Sequence, residues 1–294
     1  MVGGPTVEGY SNFLWVLLLC GAGKLGAAIP LAAKILGAAL GGLGILLSID
    51  LLRRYDGRSG ELSPADLTLG LLLGCCAEYT IWSVSGLENQ LFACLLIAFI
   101  CRVMREREAA TRSPFSSLIA LGVSLTRPEG ALYVAAIFGV FLLSALRKTD
   151  ARRRALQALA LFAILFFAYH AWHYSVFRDL RPNTFYAKRP RLDWEHFRDG
   201  GLYLIEQAQG SLLALGLPLS ILGMGRFFLR KLPLVVALVV GLFFMFYAGG
   251  DWMGHFRLGA HLLPLYFVLV VHGAQQLLAL PFFRRENENS RPSP

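Results

Sequence analysis

Nine apolar runs, at about residues 31–52, 65–81, 87–101, 115–126, 131–146, 156–175, 210–228, 232–248 and 258–280, succeed one another with only short polar stretches between them. A helix needs about 20 largely apolar residues to cross the hydrocarbon core of a bilayer. Runs near that length leave few folds open, because inside lipid each backbone N–H and C=O must find a partner within its own segment or a closed barrel. The pattern predicts an all-α fold, a polytopic transmembrane helical bundle of about 9 to 10 membrane helices. Residues 1–283 form one domain in this reading and 284–294 a polar tail. Composition agrees, with 56% hydrophobic and 16% charged residues against the ~25% charge of a water-soluble domain. Disordered, collagen-like and disulfide-stapled chains are excluded on the same ground. The runs at 87–101 and 115–126 are short and require polar flanks buried in the bundle or lining a cavity. Phe13 to Leu19, followed by Gly21, Gly23, Lys24 and Gly26, reads equally as a short interfacial or re-entrant helix or as a full crossing.

The net charge of +9 does not point to nucleic acid, because the basic residues sit in short clusters at the ends of apolar runs. One set of loops holds Arg53, Arg54 and Arg58; Arg102, Arg105, Arg107 and Arg112; Arg147, Lys148 and Arg152 to Arg154; Arg226, Arg230 and Lys231; and Arg284, Arg285 and Arg291. Crossing parity puts all five on one face, which the positive-inside rule assigns to the cytoplasm. The five cysteines, Cys20, Cys75, Cys76, Cys94 and Cys101, form no C-x-x-C pair and read as small buried apolar residues. Residues 1–10 have no basic segment and the first apolar run no small-residue cleavage site, so no cleavable signal peptide is expected.

The opposite face collects short strings of Gly, Pro, carboxylates, Arg or Lys and aromatics. Thr126-Arg127-Pro128-Glu129-Gly130 places two charges beside the membrane, where an ion costs about 2.5 to 3.5 kcal/mol at mid-depth and is usually kept for function. The competing reading is a structural ion pair at a proline-broken helix hairpin. Arg181 to Arg191 carries Arg181, Lys188, Arg189 and Arg191 with Asn183, Phe185 and Tyr186, a set suited to a phosphate through charge-assisted hydrogen bonds. General attraction to anionic headgroups would explain it too. Trp194 to Gln209 puts Phe197, Gly201, Leu204, Ile205 and Ala208 on one helical face, as an interfacial helix would. Gly249-Gly250-Asp251-Trp252-Met253-Gly254-His255-Phe256-Arg257 offers a carboxylate for general-base work or sugar hydroxyls, an Arg for phosphate and an aromatic stacking surface. A helix cap with an aromatic-belt anchor would look the same. His255 and His261 are too loosely placed for a metal site and, with His170 and His173, read as interfacial polar groups. Glu78 and Glu88 either line a wet cavity or cap helix ends.

Taken in order, Val7 to Trp15 (VEGYSNFLW), Trp82 to Glu88 (WSVSGLE), Leu125 to Gly130 (LTRPEG), Pro182 to Lys188 (PNTFYAK), Gly249 to Met253 (GGDWM) and Phe256-Arg257 resemble bacterial integral-membrane glycosyltransferases of the GT-C superfamily. The resembling subgroup includes the mycobacterial terminal β-(1→2)-arabinofuranosyltransferase. The resemblance covers nearly the whole chain. It implies transfer of a sugar, such as the pentofuranose arabinose, from a polyprenyl-phosphate donor to a cell-envelope glycan or other acceptor. The place implied is the outer face of the bacterial inner membrane. The implied partners are the lipid-linked donor, the glycan acceptor and the bilayer, with no nucleic acid. No cofactor is implied for certain, no metal ligand is assigned and metal dependence stays open.

Matched string by string, the resemblance makes Lys188, Arg127, Arg257 and Arg181 the donor-phosphate candidates. Glu8, Tyr10, Asn12, Glu88, Glu129, Asn183, Tyr186 and Trp252 become substrate-site candidates. The family's first helix and acidic first outer loop have no counterpart before Val7, so its usual base is expected upstream of Met1, and Asp251 is the base candidate within the chain. The alternative function is a non-catalytic or degenerate membrane subunit that binds polyprenyl-linked glycan. A transporter fits less well, since no inverted repeat is evident.

Overall fold

The computed structural model describes residues 8–108, 114–146, 149–180, 182–183, 186, 193–210, 213–225 and 228–280. Among these the chain is an α-helical, multi-pass membrane protein with no strand. Its helices are α1 (Phe13–Lys24), α2 (Ile29–Asp56), α3 (Pro64–Cys75), α4 (Ala77–Val84), α5 (Asn89–Glu108) and α6 (Phe115–Thr126). They continue as α7 (Gly130–Ala145), α8 (Thr149–Phe177), α9 (Trp194–Gly210), α10 (Leu213–Gly225), α11 (Phe228–Tyr247) and α12 (Leu263–Leu278), the last preceded by a 3-10 turn at Ala260–Leu262.

Four segments are long and apolar enough to cross on their own, Ile29–Asp56, Thr149–Phe177, Phe228–Tyr247 and Ala260–Leu278. Counting α3 with α4 and α9 with α10 as bent pairs raises this to six. The nine runs of the sequence thus all become helical, yet fewer meet the length and hydropathy of an independent span. Helices α6 and α7 have 12 and 16 residues. Helix α5 is long enough but ends in Arg102, Arg105, Glu106, Arg107 and Glu108. It is the most enclosed helix of the bundle, with Phe92, Leu96, Ile97, Phe99 and Ile100 fully buried.

Local chemistry sets the breaks. Helix α2 opens with Pro30 in its first turn and stops at Gly57, whose φ of +66° is a left-handed C-cap that glycine adopts freely. Ser63 and Asp66 form a reciprocal capping box at the start of α3. At Cys76 the backbone turns extended and α4 leaves at 65° to α3. The α6–α7 break falls at Arg127, which is extended as a residue before proline must be. Gly130 then lies against the Val123 carbonyl, leaving no room for a side chain. Gly223 and Gly273 bring α10 and α12 together backbone to backbone, as small residues do in membrane bundles.

Two ends of the bundle differ in chemistry. At the basic end Asp56 takes hydrogen bonds from His272 (2.6 Å) and Gln275 (3.0 Å), tying α2 to α12. Asp66 pairs with Arg53 and Arg58. Glu106 accepts from the Ser116 hydroxyl at 2.6 Å, and Arg230 reaches Glu108 at 2.9 Å. The described basic clusters therefore gather on one end, and the Gly- and carboxylate-bearing strings on the other, the polar end. Helix α1 starts at the polar end, where Asn12 bonds Glu88. Its 12 residues rise only about 18 Å, below the ~30 Å of a bilayer core, so it does not reach the length of an independent span.

The cysteine expectation needs correction. Cys94 and Cys101 are buried, but Cys20 and Cys75 are exposed on outward faces of α1 and α3, and all five are free thiols. An apolar neighbourhood in sequence does not distinguish a core face from one turned outward on a membrane helix. The tail 284–294, with Arg181 and Lys188, lies outside the described residues.

Candidate functional site

The centre of the polar end is Arg127, in the extended link between α6 and α7 and 5% exposed. Its Nε donates to Glu129 Oε1 at 2.5 Å and its Nη1 to Asn89 Oδ1 at 2.7 Å, with Glu88 Oε1 3.5 Å away. The guanidinium also stands 5.7 Å from the centre of the Phe92 ring. Burial alone would lower the pKa of Arg127, but the carboxylates of Glu129 and Glu88 outweigh it and hold it above the ordinary arginine value. Two carboxylates share one cation here. Arg127 thus holds Glu88 and Glu129 in place. Asn12 donates from Nδ2 to the other oxygen of Glu88 at 3.0 Å, fastening the chain before α1 to the same cluster.

Behind this cluster Phe92 packs edge-on against Tyr133 and His261, whose Nε2 meets the Tyr133 hydroxyl at 2.8 Å. Beside it, Glu8 and His173 are both buried and joined at 2.7 Å through Nε2. The Asn183 main-chain N–H holds the Glu8 carbonyl at 3.1 Å. Tyr10 lies 6.3 Å from Phe13, and burial followed by the Glu8 charge raises its phenol pKa above the ordinary value. His173 and His261, expected as interfacial polar groups, are in fact enclosed, whereas His255 is exposed. Their neighbours in sequence are apolar or aromatic and carry no sign of the distant partners that satisfy them.

The loop from Gly249 to Arg257 forms the third part. Arg257 Nε donates to Asp251 Oδ2 at 2.6 Å and the Met253 N–H approaches Oδ1 at 3.4 Å. Both oxygens of Asp251 are engaged. Gly249, Gly250, His255 and Phe256 all have positive φ, at 71°, 84°, 56° and 49°. The two non-glycine residues hold a conformation that costs about 1–3 kcal/mol each and is found where surroundings impose it. Trp82 supplies one such restraint, donating from Nε1 to the His255 carbonyl at 2.7 Å. Trp252 is 82% exposed.

Helix α9 closes over this loop with a register one step off the expected one. Its buried stripe is Gly200, Tyr203 and Gln207, and Ile205 is exposed. The contact is set by smallness, since Gly200 meets the Phe246 carbonyl of α11 directly. Tyr203 covers Gly250 and Gln207 covers Gly259. Below them an apolar groove of about 270 Å³ runs between α10 and α11 from Gly259 and Leu262 to Met224 and Val235.

Buried polar atoms with no hydrogen-bond partner concentrate at this end. Asn89 Nδ2, Gln90 Oε1, His173 Nδ1, Tyr203 Oη and His261 Nδ1 belong to it, against Tyr55 Oη and Gln275 Oε1 at the basic end. Leaving such a group unmade costs about 1–3 kcal/mol, so the polar end has hydrogen-bonding capacity to offer a polar molecule or water. No group of three His, Cys, Asp or Glu able to hold a metal occurs among the described residues.

Glu8, Asn12, Glu88, Arg127, Glu129, Asp251 and Arg257, singled out from sequence, thus fall at one end in three linked clusters. Asn183 and Tyr186 lie at its rim, where Tyr186 donates to Asp179 at about 3 Å. Asn89, Tyr133, His173, Tyr203, Gln207 and His261 were missed as site residues. Their one sequence signal is a polar side chain inside or bordering an apolar run. No protein-family model matches the chain, and neither a curated protein nor a solved structure matches it.

Proposed function

We propose that the protein is a GT-C-type membrane glycosyltransferase that moves a sugar, such as arabinofuranose, from a polyprenyl-phosphate donor to a cell-envelope glycan. In this reading the polar end faces outward from the bacterial inner membrane and the basic end faces the cytoplasm. Helices α5, α6 and α7 complete the set of crossings by enclosing their polar flanks within the bundle. The observation that carries the proposal is convergence. Strings separated by up to some 250 residues meet at one end, directly above an apolar groove that can shelter part of an isoprenoid chain.

The chemistry follows from the groups present. The acceptor hydroxyl attacks the anomeric carbon, its proton passes to a base, and the sugar–phosphate bond breaks with its electron pair leaving on the phosphate. Arg257, the last residue of the strained loop, serves the leaving phosphate, with Arg181 and Lys188 as further cations by resemblance. Asp251 holds the Arg257 guanidinium and keeps a second lone pair on each oxygen to accept from sugar hydroxyls, and Trp252 offers an exposed ring for the sugar face. Arg127 keeps Glu88 and Glu129 in place as acceptors.

Asp251→Asn and Arg257→Gln test the assignment with farnesyl-phosphoryl-arabinofuranose as donor. Loss of one charge-assisted contact costs about 1.5–3 kcal/mol, so each should slow transfer roughly 10- to 100-fold, and Arg257→Gln should also weaken donor retention. Wild-type rates in both variants would remove this loop from the site.

A further inference from the structure

We propose that His173 and Glu8 form the proton-accepting dyad of this site, with His173 Nδ1 taking the proton of the acceptor hydroxyl. The inference rests on the glycosyl-transfer reading and adds to it the identity of the base. It starts from a pairing that joins the segment before α1 to the end of α8 across 165 residues of sequence. Glu8 is 6% and His173 3% exposed, and their contact is 2.7 Å from Oε2 to Nε2. A carboxylate can only accept, so in the neutral imidazole the proton sits on Nε2 and the lone pair on Nδ1. That Nδ1 is buried and has no hydrogen-bond partner among the described residues. The ring is held in place by Phe177 at 4.9 Å and Tyr169 at 5.9 Å, and Glu8 by the Asn183 N–H on its own carbonyl. An imidazole with one nitrogen fixed by a carboxylate and the other unoccupied is the arrangement that general-base catalysis uses.

Other candidates at the polar end are less suited. The oxygens of Asp251 are taken by Arg257 and Met253. Glu88 and Glu129 share Arg127. His261 also has an unpartnered Nδ1, but its Nε2 meets a tyrosine hydroxyl, which can donate or accept and so fixes no tautomer. The segment from Glu8 to Asn12, which bonds Glu88, spans at most ~14 Å, so the dyad and the carboxylate cluster are tethered at the same end of the bundle. In the step, the hydroxyl oxygen bonds to the anomeric carbon, its proton moves to Nδ1, and the phosphate departs with the bonding electrons. Glu8 stabilises the imidazolium through Nε2–H and acts as the positioning residue.

The test uses the full chain in nanodiscs, farnesyl-phosphoryl-arabinofuranose as donor and an octyl arabinofuranosyl disaccharide as acceptor. His173→Ala and His173→Gln should transfer about 100-fold or more slowly, the range lost with a general base, while retaining donor within threefold of the parent. Glu8→Gln, whose amide can donate to Nε2 and so move the lone pair there, should lose at least tenfold, and Glu8→Asp should recover most of it. Transfer within threefold of the parent in both His173 variants overturns the dyad and leaves the transferase reading intact. Loss of donor retention together with transfer makes the pair a fold element and also overturns it. A parent that neither retains the donor nor transfers sugar brings down the transferase reading itself, and the dyad with it.

Discussion

Arg127 is enclosed between Glu88 and Glu129, so its removal should act through what it leaves behind. Breaking a buried pair by deleting one partner costs about 3–5 kcal/mol. We expect Arg127→Leu to lower the thermal midpoint in detergent by roughly 10 °C. Adding Glu129→Gln should recover part of that loss, because one stranded charge is then gone. A thermal scan in which Arg127→Leu matches the parent would show that the cluster is not held as described. The residue types were legible: an Arg and a Glu beside a proline break offered an ion pair as one of two readings. Their partners were not, since Asn89 opens α5 inside an apolar run and Asn12 precedes α1. The resemblance made Arg127 a phosphate candidate, and the fold places the carboxylates of Glu88 and Glu129 beside it.

At the scale of elements, the crossing of α10 and α12 depends on two glycines that meet carbonyls of the opposing helix. A side chain at either position must push the helices apart, and because lipid offers little hydrophobic drive to rejoin them, packing is what holds them. Gly273→Leu should reduce the yield of monodisperse protein sharply on size exclusion, whereas Gly139→Leu, at a glycine with open space around it, should not. Helix existence was readable from the apolar runs, and every run became helical. Length was harder to interpret. The run 115–126 turns Ser116, Ser117, Ala120, Val123 and Thr126 inward and leaves Phe115 and Leu118 exposed, a division that no window of hydropathy can register. The register of α9 went astray for a related reason: Gly200 and Gln207 make its contacts, and neither ranks as hydrophobic.

For the whole molecule, the proposed topology places the basic end and the polar end on opposite sides of the membrane. In a cysteine-free background, Trp252→Cys and Asn183→Cys should react with a membrane-impermeant maleimide in intact cells, and Arg105→Cys only after permeabilisation. Labelling of Arg105→Cys at the rate of Trp252→Cys in intact cells would invert or abolish the assigned topology. The separation of the basic clusters from the Gly- and carboxylate-bearing strings was legible in the sequence, whereas the crossing count behind the parity argument was not, since four to six segments qualify as spans. The convergence of the strings was not, because contacts such as Glu8 with His173 and Trp82 with His255 join segments 165 and 173 residues apart. The most direct measurement of the central claim is sugar transfer by the purified chain in proteoliposomes, with labelled farnesyl-phosphoryl-arabinofuranose and an arabinofuranosyl acceptor. The expected result is an acceptor product that grows with time and protein and falls at least 100-fold with His173→Ala. Donor retained by the parent with no product formed would contradict the transferase reading and identify a glycan-lipid-binding subunit instead.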